Sequence, residues 1–178
     1  GEDFDPDKMA RYEIVPGLGE SSQHAVMNAE SESGCFPLVV FSHGYGGERR
    51  QSTFFYTHLA SHGFVVAAMD HVGNTTINMI SGQSKTGDIE FMRRFILSRP
   101  ADASFVIDQM IAGEAGIEID ANRIGMSGHS FGGWTTLKTL ETDERVKAIV
   151  PLAPAGGKTS DGENPLPDAL TFDWGRTV

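Results

Sequence analysis

Four short, continuous apolar runs govern what this chain can become: Leu38-Val39-Val40-Phe41, Phe64 to Met69, Arg123 to Ser127 and Val146 to Leu152. A run without polar alternation suits a strand covered on both faces, as in a parallel sheet. Helical patterns lie between the runs. Gln51 to His62 places Phe54, Phe55, His58 and Leu59 on one side and stops at Gly63. Pro100 to Ile111 carries Phe105, Val106, Gln109 and Met110 in helical spacing, and Phe131 to Leu140 follows the third run directly. Strands that alternate with helices point to crossover connections, so the expected fold is α/β, a mostly parallel sheet with helices on both faces.

The rest of the chain is more polar. Residues 1 to 36 read as edge strands or loops, residues 71 to 90 as a long Gly, Asn, Ser and Thr-rich excursion, and 153 to 178 as a surface crossing. All of 1–178 is expected to form one domain, with 39% apolar residues to fill a core. The net charge of -10 removes the attraction to phosphate backbones, so nucleic acid is not an expected partner. No apolar run approaches the roughly 20 residues that cross a bilayer. Cys35 is the sole cysteine, which excludes an internal disulfide and any multi-cysteine metal site.

Chemistry concentrates in Gly128-His129-Ser130-Phe131-Gly132-Gly133, between the third strand and its helix. Functional groups in parallel sheets gather beyond the carboxyl ends of the strands. A G-x-S-x-G turn there holds a serine in a strained backbone conformation, and its glycines are needed where side chains would meet the strand or the helix. The helix N-terminus that follows favours a developing oxyanion. Ser130 is therefore the expected nucleophile. An oxyanion hole needs two converging N–H donors, one from the residue after the nucleophile, Phe131. The glycine turn Ser42-His43-Gly44-Tyr45-Gly46-Gly47 ends the first apolar run and offers Tyr45 as the second.

The two turns together, in FSHGYGGERRQSTFFYTHLASHGFVVAAMDH and RIGMSGHSFGGWTTLKTL, resemble the α/β-hydrolases. Within them, the chain is similar to the platelet-activating-factor acetylhydrolase, dienelactone-hydrolase-like and polyester hydrolase families over about residues 37 to 155. The resemblance implies a three-layer core, hydrolysis of a small-molecule ester or lipid through an acyl-enzyme on Ser130, and an oxyanion hole from Tyr45 and Phe131. It further implies no metal or organic cofactor, and a secreted or periplasmic location.

A serine hydroxyl needs a general base oriented by a carboxylate, and in this fold the chain order is Ser, then Asp or Glu, then His. The six histidines are His24, His43, His58, His62, His71 and His129, none of them after Ser130. The expectation from this departure is that the catalytic histidine is missing and that the chain alone is inactive. Three explanations stay open: a fragment lacking its last strands, acid and histidine; a non-catalytic module that binds esters or lipids; or an upstream histidine, His71, which follows the strand ending at Met69. Asp161, Asp168 and Asp173 are possible carboxylates that also read as turn residues.

Other features have structural readings. His129 and Phe54 are candidate pocket-lining residues beside the elbow and the oxyanion turn, together with His71. His58 and His62 have the i, i+4 spacing of zinc ligands without the glutamate of His-Glu-x-x-His, and read as helix-surface and capping residues. Asn74-Thr75-Thr76 is a formal glycosylation sequon, and Arg99 with Asp102 reads as a helix-start ion pair.

Overall fold

A computed structural model describes residues 9–13, 19–83 and 89–155. Strands β1 (Met9–Glu13) and β2 (Glu20–Val26) form an antiparallel pair ahead of the main sheet. Strand β3 (Cys35–Ser42), helix α1 (Thr53–Ala60), β4 (Val65–Met69), α2 (Thr76–Ile80) and α3 (Ile89–Ile111) follow. Then come β5 (Glu118–His129), α4 (Phe131–Thr142) and β6 (Val146–Leu152). The main sheet is parallel in the order β4-β3-β5-β6, so the expected architecture holds.

The pleat divides the strands between two helical layers. Leu38 and Val40 of β3 join Ile124 and Met126 of β5 and Val146 of β6 in one core, closed by Ala103 and Ile107 of α3. Phe41 points to the opposite layer, where Phe55 and Tyr56 of α1 pack on its ring with centroids 6.1 and 4.9 Å away. Helix α1 is thus turned away from the orientation expected of it. Phe54 stands 75% exposed, because Phe41 selects the two residues that follow. On this same face an apolar groove of about 480 Å³, lined by Phe55, Leu59, Phe64, Gly125, Ala148 and Val150 among others, lies beside α1 and does not include Ser130.

Several boundaries differ from the sequence expectation; β5, for one, begins five residues before Arg123. Helix α3 begins 11 residues before Pro100, which lies inside it. Proline is common at a first helical position and so reads as a start, but Ile96 and Arg99 make the preceding turns worth ordering, since both are buried. The excursion after β4 contains α2, capped by a reciprocal Thr75–Asn78 box. Thr76 fastens this helix to the glycine turn after β3, its N–H donating to the Gly47 carbonyl at 2.9 Å and its hydroxyl to that of Gly46 at 2.9 Å.

Candidate active site

Ser130 occupies the turn between β5 and α4 with φ +54° and ψ −113°, a conformation that costs a non-glycine residue energy. Its backbone is fixed from three sides. The Ser130 N–H donates to Leu152 at 2.9 Å, and its carbonyl accepts from Trp134 at 3.1 Å and Ala155 at 2.8 Å. The flanking glycines are there for space. A methyl on Gly128 would stand 2.7 Å from the Ser42 carbonyl oxygen, and one on Gly132 would overlap that same oxygen outright. The Ser130 side chain stays partly exposed.

The turn after β3 lies against this elbow. A methyl placed on Gly44 would be 3.6 Å from Ser130 Cβ. Gln51 ties the two loops together: its Oε1 accepts from the Gly44 N–H at 2.8 Å, and its Nε2 donates to His129 Nδ1 at 2.8 Å. The Tyr45 and Phe131 rings meet edge to face at 6.3 Å. Beneath both loops, fully buried Arg99 reaches up from α3. Its guanidinium donates to the His43 carbonyl at 2.7 Å, the Gly44 carbonyl at 3.3 Å and Asn74 Oδ1 at 2.6 Å, and lies 4.5 Å from the centre of the Phe131 ring. Burial pulls its pKa down to about 9, which leaves it protonated at neutral pH.

A second arrangement stands one strand away. Ser42 Oγ lies 2.8 Å from His71 Nε2, and His71 Nδ1 lies 2.7 Å from Asp102 Oδ2. With Nδ1–H donating to the carboxylate, Nε2 is left to accept from the hydroxyl, the order of bonds in a serine–histidine–aspartate relay. This overturns the expectation that no histidine in the chain is placed to serve a serine, and the inactivity expected on that ground falls with it. The alternative of a non-catalytic binding module had the same basis and is corrected too. The histidine is upstream, as one explanation allowed, but it is bonded to Ser42 rather than to Ser130. Asp102 and Arg99, expected to pair as a helix start, instead serve His71 and the glycine turn.

Comparison with protein families matches residues 13–165 to the family described as PET hydrolase-like. The chain belongs to the PET hydrolase-like family. It is 30% identical to the platelet-activating factor acetylhydrolase of Bos taurus over 177 residues, covering 76% of this chain and 39% of that protein. It is 31% identical to the cutinase est2 of Thermobifida alba, covering 69% of this chain and 36% of the relative. Among solved structures, the ferulic acid esterase from Streptomyces cinnamoneus superposes with a TM-score of 0.62 at 28% identity, over 75% of this chain and 42% of that one. This PET hydrolase-like chain therefore spans less than half the length of the curated relatives it matches.

The remaining predicted residues of this PET hydrolase-like chain separate clearly. His129 is exposed beside Ser130 and held by Gln51, whereas Phe54 faces solvent on α1. His58 and His62 are exposed, with centroids 4.6 Å apart, and among the described residues no group of His, Cys, Asp or Glu is placed to hold a metal ion. The sequon asparagine, Asn74, is fully buried on Arg99, out of reach of glycosylation. Asp161, Asp168 and Asp173 lie outside the described residues. No helix among the described residues is long and apolar enough to cross a membrane.

His43, which no spacing in the sequence singles out, makes the site sensitive to acid. Its Nδ1–H donates to the Gly44 carbonyl at 2.6 Å while Nε2 accepts the His71 N–H at 3.1 Å, which requires a neutral ring. Burial, helped by the Arg99 charge, lowers its pKa to about 4 from 6.5. The His71 pKa is lowered in the same direction, first by burial, against the pull of Asp102. The unfolded chain therefore binds more protons between pH 6.5 and 4, and the folded state loses stability as pH falls through that window. Urea unfolding of this chain is expected to show a loss of about 2–3 kcal/mol from His43 between pH 7.5 and 4.5. His43→Asn should flatten that slope; an unchanged slope would show that the ring titrates normally.

Proposed function

We propose that this chain carries the core of a serine-dependent carboxylic ester hydrolase, with Ser130 as the nucleophile and the N–H groups of Tyr45 and Phe131 as oxyanion donors. The observation that carries this proposal is the backbone of Ser130 at φ +54° between a strand and a helix, partly exposed and enclosed by glycines at backbone contact. Ser130 Oγ would attack the ester carbonyl, and the tetrahedral oxyanion would collapse with loss of the alcohol. Water would then release the acid from the acyl-enzyme. Attack also passes the Ser130 hydroxyl proton to a general base; His71, oriented by Asp102, has the form of one, but its Nε2 is bonded to the Ser42 hydroxyl, and no contact among the described residues joins it to Ser130. Membership of a family of ester hydrolases supports a small-molecule ester as substrate, and resemblance to cutinases supports a location outside the cytoplasm.

The relay favours a second assignment, in which Ser42 itself attacks. Ser42 is fully buried, so this route requires the glycine turn to open. Mass-spectrometric mapping after exposure to an alkyl fluorophosphonate separates the two. The label is expected on Ser130, and Ser130→Ala should abolish both labelling and the turnover of a p-nitrophenyl ester, by on the order of 10⁴-fold or more. Label on Ser42, lost in Ser42→Ala and retained in Ser130→Ala, would transfer the role to the relay.

A further inference from the structure

Resting on the assignment of Ser130 as nucleophile, we infer that Arg99 and His43 are positioning residues that aim the Tyr45 N–H at the oxyanion by holding the other end of its peptide plane. A trans peptide is rigid, and its C=O and N–H point in opposite directions. The peptide that carries the Tyr45 N–H has the Gly44 carbonyl as its other end. Three donors converge on that oxygen: His43 Nδ1 at 2.6 Å, the Gly47 N–H at 3.1 Å and Arg99 Nη2 at 3.3 Å. Two of them come from fully buried side chains, so the carbonyl is drawn inward and the N–H is turned outward, toward the half-exposed Tyr45 side of the loop.

The same guanidinium also packs on the side chain of the residue that carries the other donor. Arg99 lies 4.5 Å from the centre of the Phe131 ring, and the Phe131 N–H opens helix α4 right after Ser130. One buried cation thus bears on both halves of the proposed oxyanion hole, although it comes from a helix that carries neither. Asn74 fixes its far arm at 2.6 Å, and His43 is braced in turn by the His71 N–H at 3.1 Å. Oxyanion stabilisation depends on donors that are aimed before the charge develops, because reorienting them during the reaction would consume the benefit.

The test compares the chain with Arg99→Lys and His43→Asn on a p-nitrophenyl acyl ester and on the matching thionoester, whose C=S is a poor hydrogen-bond acceptor. Each variant is expected to lose about 10-fold or more in kcat on the oxygen ester, with KM nearly unchanged, as expected for an interaction made only in the transition state. The thionoester should lose far less, so that the ratio of the two rates collapses while fluorophosphonate still marks Ser130. A structural defect would slow both esters alike, and an unchanged ratio in folded variants overturns the inference while leaving Ser130 as nucleophile. If Arg99→Lys does not fold, His43→Asn decides; if neither folds, Asn74→Ala, which frees one arm of the guanidinium, is judged by the same ratio. Parent chain that neither reacts with the phosphonate at Ser130 nor turns over ester would remove the Ser130 assignment, and this inference with it.

Discussion

Gly132→Ala is expected to leave no stably folded protein. A methyl at this position overlaps the Ser42 carbonyl oxygen, lies 2.5 Å from the Ser42 carbonyl carbon and 2.7 Å from the His43 oxygen. All three are backbone atoms, and no rotamer change relieves them. Ser42 is held in register with Gly128 on one side and Met69 on the other, so the strand cannot retreat without breaking two ladders. Conflicts of this kind exceed the usual range for single substitutions, at more than about 4 kcal/mol, against total stabilities of about 5–15 kcal/mol. Gly44→Ala is the control. Its methyl would come no closer than 3.3 Å to His129 Nδ1, a side-chain atom that can shift, and it should fold with a small loss. Soluble expression and thermal melts of both variants check the contrast; a Gly132→Ala protein melting within a few degrees of its parent would contradict it.

Arg99→Leu should be the next most damaging change, at about 3–5 kcal/mol in urea unfolding. Replacing a buried ion pair by apolar groups is often harmless because both partners go. Here the partners are the carbonyls of His43 and Gly44, which no substitution removes, and the Asn74 side chain. The His43 carbonyl and Asn74 Oδ1 would lose this buried donor, whereas the Gly44 carbonyl would keep the His43 Nδ1 and Gly47 N–H donors. Arg99→Lys keeps the charge but replaces the fork with a single ammonium, so it should cost clearly less than Arg99→Leu. Equal losses for the two would mean that the geometry of the fork, and not the charge, is what the loop needs.

The elbow was legible in the sequence because its glycine spacing about Ser130 is a local pattern; the atoms that demand Gly132, the backbone of Ser42 and His43 at the end of the neighbouring strand, were not. The four strands of the main sheet were legible as continuous apolar runs, both ends of Val146–Leu152 included, although β5 extends beyond its run to Glu118 and His129. The start of α3 was not, since a buried arginine carries no apolar signal and Pro100 imitates a beginning. The relay was hidden for a different reason. Ser42 and His71 are 29 residues apart, and His71 and Asp102 are 31 apart; sheet order and the return of α3 under the loop bring them together. A trace of it is visible in His71 at the end of a strand, but chain order points to a base after Ser130, and nothing in the sequence around Ser42 marks it as that base's partner.

The pairing of β3 with β5 sets the order in which the site can form. Phe41 faces Ser127 across the ladder, so the centre of the sheet closes only after the chain between them has folded back, a long loop closure that slows folding. Ser42, His71 and Asp102 all precede β5, whereas the elbow needs β5 seated before Ser130 can take its strained turn. During synthesis or refolding the buried polar network has its parts available first, and the accessible serine is completed last. On the proposed assignment, labelling at Ser130 would therefore report completion of the sheet, since partly folded chains would have no elbow with which to attack.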